Sequence, residues 1–196
     1  MLLSLNKVMT DIRASNSESN QHESVDMDDH RLAGVIIFVL GICGFTFNML
    51  VVFLLRRVST FKNAFGILTF NQAITDLINS TVFTFIIAPC VFFALHASFE
   101  VTSRLGQLLF LAYDCCSWIH LCISLNRFCS LYFIHKYKFL FSNQMTVVYV
   151  TFIWLLAACI NFYEYVFVDC AFYLPIGHWN FDFKAGPTCL SVAWLV

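Results

Sequence analysis

The amino-acid sequence predicts an all-α membrane protein with several spans. Of its 196 residues, 60% are apolar and only 12% are charged, whereas soluble domains contain about 45 to 50% apolar and about 25% charged residues. The apolar residues also fall into segments that exceed the roughly 20 residues a helix needs to cross a bilayer. The net charge of −1 gives no indication of a nucleic-acid partner. Lipid is therefore the expected surroundings of most of the chain.

The chain begins with a polar and acidic stretch, residues 1–31. It contains too few clustered apolar residues to bury a core, so it is predicted to be a disordered tail. The first span follows at residues 32–55 and ends at the basic pair Arg56 and Arg57. Its length is sufficient to cross the membrane with some tilt.

The second span, about residues 65–95, is the most polar of the set. Part of its polar residues form one stripe of the helix, because they recur at steps of three and four residues. The stripe consists of Gln72, Asp76, Asn79, Ser80 and Phe83. Polar groups inside lipid are costly, so this stripe is predicted to face the interior of the bundle.

Two further spans complete the predicted bundle, at about residues 105–128 and 145–168. A short apolar run that starts at residue 188 is too short to cross a bilayer and is interpreted as the start of a fifth span. The nine cysteines form no paired motif with matching histidines, so neither a metal nor a cofactor is expected.

The distribution of basic residues predicts the orientation. The loops after the first and third spans contain five lysines and arginines, and those after the second and fourth contain Arg104 and Lys184. The former are predicted to be cytoplasmic, which leaves the N-terminus outside the plasma membrane. Cys170 and Cys189 then lie in the oxidising compartment, where they form a disulfide or remain two free thiols.

Several polar residues within the spans have two possible interpretations. Asp76 surrounded by Asn48, Asn79 and Ser80 forms a site for a monovalent cation or a proton, or it is a neutral, hydrogen-bonded acid. Asp114, with Tyr113 and Trp118 near it on the helix, anchors an extracellular ligand, or it makes an interhelical hydrogen bond. Arg127 at the inner end of the third span is a switch element or a snorkelling side chain. His120 is read as an interior histidine with satisfied hydrogen bonds.

Four polar landmarks occur in register in the four spans: GFTFN at 44–48, NQAITD at 71–76, NRF at 126–128 and Trp154. In this the chain resembles the rhodopsin-like seven-helix receptors. Further motifs make it resemble the nematode chemoreceptors of serpentine receptor class X over about residues 34–196: FGILTFNQA, ISLNRFCSLYF, FIWLL, the Trp179 to Phe181 motif and the Pro187 to Cys189 motif.

The resemblance implies that residues 32–196 are part of a seven-transmembrane domain that detects a small extracellular ligand and signals to a heterotrimeric G protein. It assigns Arg127 and Asn126 to the cytoplasmic switch, Asp76 to the sodium site and Asn48 to a supporting role. Two departures are visible. Asn126 stands where most rhodopsin-like receptors have an acid, and no cysteine stands at the outer end of the third span. The second departure favours a bond between Cys170 and Cys189.

The sixth and seventh spans of such a receptor are absent from the sequence, which predicts a C-terminally truncated member of the family. Two alternatives remain open: a multi-span protein that does not signal and binds full-length receptors, and an ion-conducting bundle. An enzyme is not expected, because Asp76, Asp114 and His120 share no catalytic motif.

Overall fold

The computed structural model describes residues 2–58, 61–95, 98–168, 170–175, 181–184 and residue 189, with side chains from residue 28 onward. Helices α1 (Leu2–Arg57), α2 (Ala64–Val82), α3 (Ala88–Phe92), α4 (Phe99–Tyr132), α5 (Ile134–Leu140) and α6 (Asn143–Val166) precede a hairpin of β1 (Phe172–Tyr173) and β2 (Asp182–Phe183). The predicted start of a fifth span at 188 lies outside the described residues.

Four helical segments of the described chain are long and apolar enough to cross a membrane: Asp28–Arg57, Ala64–Phe92, Phe99–Tyr132 and Asn143–Val166. The all-α fold with four complete spans is thereby confirmed. The third span begins at Phe99, before the predicted residue 105. The backbone of α1 is helical from Leu2, and the extracellular, disordered tail over residues 1–31 stays a prediction.

The second span is a helix with a π-helical turn at Phe83–Ile87. Pro89 follows this turn and has no amide hydrogen to donate to the carbonyl four residues before it. At the turn the Ala88 amide donates to the carbonyl of Phe83, five residues back, instead of following the α-helical pattern. We attribute the π-helical turn to this proline, since such turns insert one extra residue into a helix.

Three glycines let α1 lie directly against the second span. A Cβ atom on Gly44 would come within 2.9 Å of Ser80 Oγ, and one on Gly34 within 2.8 Å of the Phe92 backbone. Gly41 makes a still closer approach to Thr84. Because the glycines lie on one face of α1, they form a groove of small residues of the kind that membrane helices use to pack closely.

The main hydrophobic core lies between α2, α4 and α6. Its fully buried members are Leu68 from α2, Cys115 and Ile119 from α4, and Ala157 from α6. By contrast, α1 buries few side chains, and large apolar residues such as Leu40 and Phe47 are more than 60% exposed. In a membrane these exposed side chains contact lipid, which is as apolar as they are.

Candidate functional site

Helix α4 connects most of the predicted site residues. It packs against α2 and α6 within the bundle, against α5 at one end and against β1 at the other. Every polar landmark of the second and third spans therefore lies on α4 or on a helix that contacts it.

Two side-chain hydrogen bonds join α2 to α4 in the middle of the bundle. Gln72 Nε2 lies 3.0 Å from His120 Nε2, and the Cys116 thiol lies 3.4 Å from Asp76 Oδ1, to which it donates. The two pairs are one helical turn apart on each helix, so antiparallel packing brings them into line. We call them the polar rungs. They pair polar side chains of the two helices with each other inside the membrane segment.

The residues predicted to surround Asp76 mainly bond to the backbone. Ser80 Oγ donates to the Asp76 carbonyl at 2.7 Å, and Asn48 Nδ2 donates to the Gly44 carbonyl within α1 at 2.9 Å. Asn79 Oδ1 is buried and has no hydrogen-bond partner among the described residues. The structure thus brings the Asp76 carboxylate to Cys116, a contact that the sequence analysis missed. A cation or proton site at Asp76 stays a prediction.

At the opposite end of α4 from the hairpin, Asn126 and Arg127 have different environments. Asn126 is 3% exposed, and its Oδ1 accepts a hydrogen bond of 3.0 Å from the Tyr137 hydroxyl of α5. Asn126 Nδ2 is buried without a partner in the described part of the chain. Arg127 is exposed, with its guanidinium carbon 5.4 Å from the centre of the Phe65 ring. The Arg127 guanidinium is thus held over the face of an aromatic ring, and it is exposed enough to bind another partner as well.

The three predicted ligand-binding residues do not share one environment. Asp114 is 8% exposed, whereas Tyr113 and Trp118 are 55% and 44% exposed. Asp114 is buried in the bundle, whereas the two aromatic side chains are exposed and point away from each other, because five residues turn the helix by about 140° beyond a full turn. Their role in ligand binding stays a prediction.

The end of α4 beside the hairpin contacts α6, and little space remains between the two helices. Asn161 Nδ2 donates to the Gln107 carbonyl at 3.3 Å, and the guanidinium carbon of Arg104 lies 4.9 Å from the Tyr165 ring centre. The cavity beside Asn161 and Glu164 has a volume of only about 10 Å³, which is too small for an organic ligand.

The β hairpin covers this end of α4. Phe172 pairs with Phe183 and Tyr173 with Asp182, and Gly106 lets the Phe172 carbonyl lie directly on the helix, where any Cβ atom would clash. Cys170 and Cys189 are joined by a disulfide with a Cα–Cα distance of 5.1 Å. The hairpin and the disulfide close this end above α4.

One side of α4 carries a line of exposed polar groups, which we call the open polar face: Tyr113, Ser117, His120, Ser124 and Arg127. The two serines donate to carbonyls one turn back, at 3.0 Å each. The spacing of three and four residues keeps these five residues on one face of the helix.

No three His, Cys, Asp or Glu side chains within the described ranges are close enough to hold a metal ion.

The arrangement of the helices defines the class of protein. The structure is similar to the crystal structure of squid rhodopsin, with a TM-score of 0.70 over 84% of this chain and 48% of that chain, at 17% sequence identity. The chain therefore has the helix arrangement of a rhodopsin-like seven-transmembrane fold, of which four spans are described.

The particular family follows from the sequence comparisons. Residues 38–196 match the profile of the family described as serpentine type 7TM GPCR chemoreceptor Srx, and the chain belongs to this family. It is 33% identical over 159 residues to Serpentine receptor class X 45 of Caenorhabditis elegans. The aligned residues cover 80% of this chain and 44% of that protein. It is 27% identical over 164 residues to Serpentine receptor class X-43 of the same organism, covering 82% and 50%.

These matches show that the chain belongs to the Srx family and how much of a family member it covers. The chain spans about half the length of the curated relatives that it matches. The resemblance to class X receptors that the motifs indicate is confirmed. The family is one of multi-pass membrane receptors and not of enzymes.

Proposed function

We propose that this chain is the membrane bundle, in part or in whole, of a chemosensory receptor that detects a small extracellular ligand and signals to a heterotrimeric G protein. Family membership over residues 38–196 supports the general function. The chain would act in the plasma membrane without catalysing a reaction, and its acidic N-terminal residues would lie outside.

The charge distribution supports this orientation. The ends of α1 and α4 that carry Arg56, Arg57 and Arg127 lie on the same side as α5, which contains Lys136 and Lys138. Basic residues close to membrane helices favour the cytoplasmic side. The hairpin and its disulfide would then face the oxidising exterior.

The observation that carries the proposal is the arrangement at the inner end of α4. Asn126 is buried and bound to Tyr137 at 3.0 Å, while its neighbour Arg127 is exposed and stacks on Phe65. A cation that is held in place but open to solvent is suited to bind a partner protein. The buried asparagine fixes the adjacent helix α5, so the same surface presents α5 and Arg127 together.

Two further sites belong to the proposal. A site of Asp76, Asn48, Asn79 and Ser80 would bind a monovalent cation or a proton, supported by the buried Asn79 Oδ1, which has no hydrogen-bond partner among the described residues. Tyr113 and Trp118 would contact the ligand, supported by their exposure. Asp114 would act behind them, since it is buried against the bundle.

The test uses membranes from cells that express the longest native in-frame product containing this chain. Binding of GTPγS to added heterotrimers of each Gα class is measured for the unaltered protein and for Arg127→Ala. The control is Arg57→Ala, because Arg57 also lies at the inner end and stacks on an aromatic ring, Phe53, at 5.1 Å. We expect stimulated binding that Arg127→Ala abolishes and Arg57→Ala preserves. No stimulation by the unaltered protein for any Gα class would contradict the proposal.

The open polar face favours a second candidate function. The four side chains of this face that lie within the span, Tyr113, Ser117, His120 and Ser124, would meet lipid if nothing covered them, which is unfavourable within a bilayer. In a full-length receptor, further helices would cover this face. A chain of four spans would instead bind a full-length receptor there without signalling itself. Co-purification of the chain with a tagged class X receptor, and its loss on changing Ser117 and Ser124 to leucine, would support this alternative.

A further inference from the structure

A cavity opens at the basic end of α1, where the first helix meets the loop before α2. Its volume is about 360 Å³, which lies within the range of small-molecule sites. The end of α1, the start of α2 and the start of α6 form its walls. It belongs neither to the polar rungs nor to the inner end of α4.

Basic and polar groups line one part of this cavity. They are Arg56, the penultimate residue of α1, Lys62 in the loop, and Asn143, the first residue of α6. Asn143 Nδ2 donates to the Lys62 carbonyl at 3.1 Å, which ties α6 to the loop. The lining residues include no acid, so the cavity wall carries net positive charge.

Apolar side chains line the other part. Leu55 of α1 and Ile67 and Phe70 of α2 are half-buried and face the same space. The guanidinium carbon of Arg56 lies 5.2 Å from the centre of the Phe70 ring, where the charged and apolar parts meet. The ends of two membrane-spanning segments, Arg57 and Ala64, lie at this level. The cavity is therefore at the boundary between hydrocarbon and water.

We propose that this cavity binds an anionic phospholipid. The phosphate of the headgroup contacts Arg56 and Lys62, and the upper part of an acyl chain lies along Leu55, Ile67 and Phe70. An occupant at this boundary must combine a negative group with hydrocarbon, and anionic phospholipids do so. The statement that this lipid comes from the cytoplasmic leaflet rests on the orientation given under the proposed function.

The binding test does not depend on that orientation. The whole purified chain is placed in detergent micelles, and the retention of dioctanoyl phosphatidylserine and dioctanoyl phosphatidylcholine is titrated by native mass spectrometry. The test variant is Arg56→Gln with Lys62→Gln. The matched control is Lys136→Gln with Lys138→Gln, which removes two charges from the same side of the protein but outside the cavity.

We expect the unaltered chain to prefer phosphatidylserine and the test variant to lose about 25-fold in affinity for it, about fivefold for each basic residue. The control should change by less than about twofold. Equal affinity for the two lipids, or an equal loss in the control, would overturn the proposal. Inorganic phosphate is added as a competitor, and displacement of the lipid by phosphate alone would show a simple anion site and also overturn it.

A second variant keeps both charges and fills the apolar part. Ile67→Trp should weaken phosphatidylserine binding by excluding the acyl chain, whereas an affinity equal to that of the unaltered chain would contradict the proposed position of the lipid. Orientation is tested separately, by inserting glycosylation acceptor sites into the N-terminal tail and into the connection between α4 and α6, at Lys136. Modification of the acceptor at Lys136 alone would overturn the assignment to the cytoplasmic leaflet but not the lipid site.

Discussion

The Tyr137 hydroxyl donates a 3.0 Å hydrogen bond to Asn126 Oδ1 and so joins the short helix α5 to the end of α4. The ring of Tyr137 also stacks on Phe141, with 5.9 Å between the ring centres. Because α5 has no fully buried residue of its own, these contacts hold its position. Asn126, which stands where most rhodopsin-like receptors have an acid, therefore has a hydrogen-bond partner within this chain.

We predict that Tyr137→Phe loosens α5 without unfolding the bundle. The change leaves a second polar atom of Asn126 buried without a partner, which costs about 1 to 3 kcal/mol. Amide hydrogen exchange over residues 134–140 should accelerate, and the thermal midpoint should fall slightly. Tyr132→Phe is the control, since Tyr132 is 72% exposed. Identical exchange in both variants would refute the role of the hydrogen bond.

The groove of small residues on α1 gives a second prediction. Gly44→Leu should lower the free energy of unfolding by about 1 to 3 kcal/mol, because the new side chain collides with Ser80 and forces the helices apart. Thermal unfolding in micelles, followed by tryptophan fluorescence, measures the change. Cys43→Leu adds bulk at the neighbouring exposed position and should be nearly neutral. A loss in Cys43→Leu as large as that in Gly44→Leu would argue against close packing at Gly44.

The polar rungs give a third prediction. In a double-mutant cycle, Gln72→Ala and His120→Ala should be coupled by about 0.6 kcal/mol, a typical value for hydrogen bonds between membrane helices. The cycle is measured by unfolding in mixed micelles. A second cycle between Gln72 and Ser124, which bonds to its own helix, should give no coupling. If the two cycles agree within error, the Gln72 to His120 contact contributes nothing to stability.

The fourth prediction concerns the disulfide between Cys170 and Cys189. Cys170→Ser should destabilise the folded chain by about 3 kcal/mol, since the bond closes a loop of moderate length. Reductant should lower the thermal midpoint of the unaltered chain to that of Cys170→Ser, and it should leave the midpoint of Cys170→Ser unchanged. Cys159→Ser removes an exposed free thiol and serves as the control. Alkylation of Cys170 without prior reduction would contradict the prediction.

The spans could be predicted from the sequence because membrane crossing depends on local length and polarity. Residues 32–55 and 145–168 hold long uncharged runs, and the helices Asp28–Arg57 and Asn143–Val166 include most of both. The residues at which the spans end were less predictable. The second span stops at Phe92 because Ala94 has a positive φ of 48°, a conformation that a helix does not continue through.

The contacts of the site were harder to predict, since they depend on how two helices align. The polar stripe of α2 could be recognised from its spacing, but its partners could not. Cys116 was given no role from the sequence, although it lies one turn from His120, and both form hydrogen bonds to α2. The spacing of these two residues was the available signal. Tyr137 carried no comparable signal, because a seven-residue helix with no buried residue leaves no clear pattern.

The π-helical turn at Phe83–Ile87 separates the second span into two parts that can change independently. Each residue of a helix advances about 100° around its axis, so deleting one residue within the turn would rotate the part of the span after the turn relative to the part before it. The polar rungs at Gln72 and Asp76 would keep their alignment with α4, while Val91 and Phe92 would turn to new neighbours. Among diverging gene copies, a one-residue gain or loss at this point could thus redirect the C-terminal end of the span in a single mutational step.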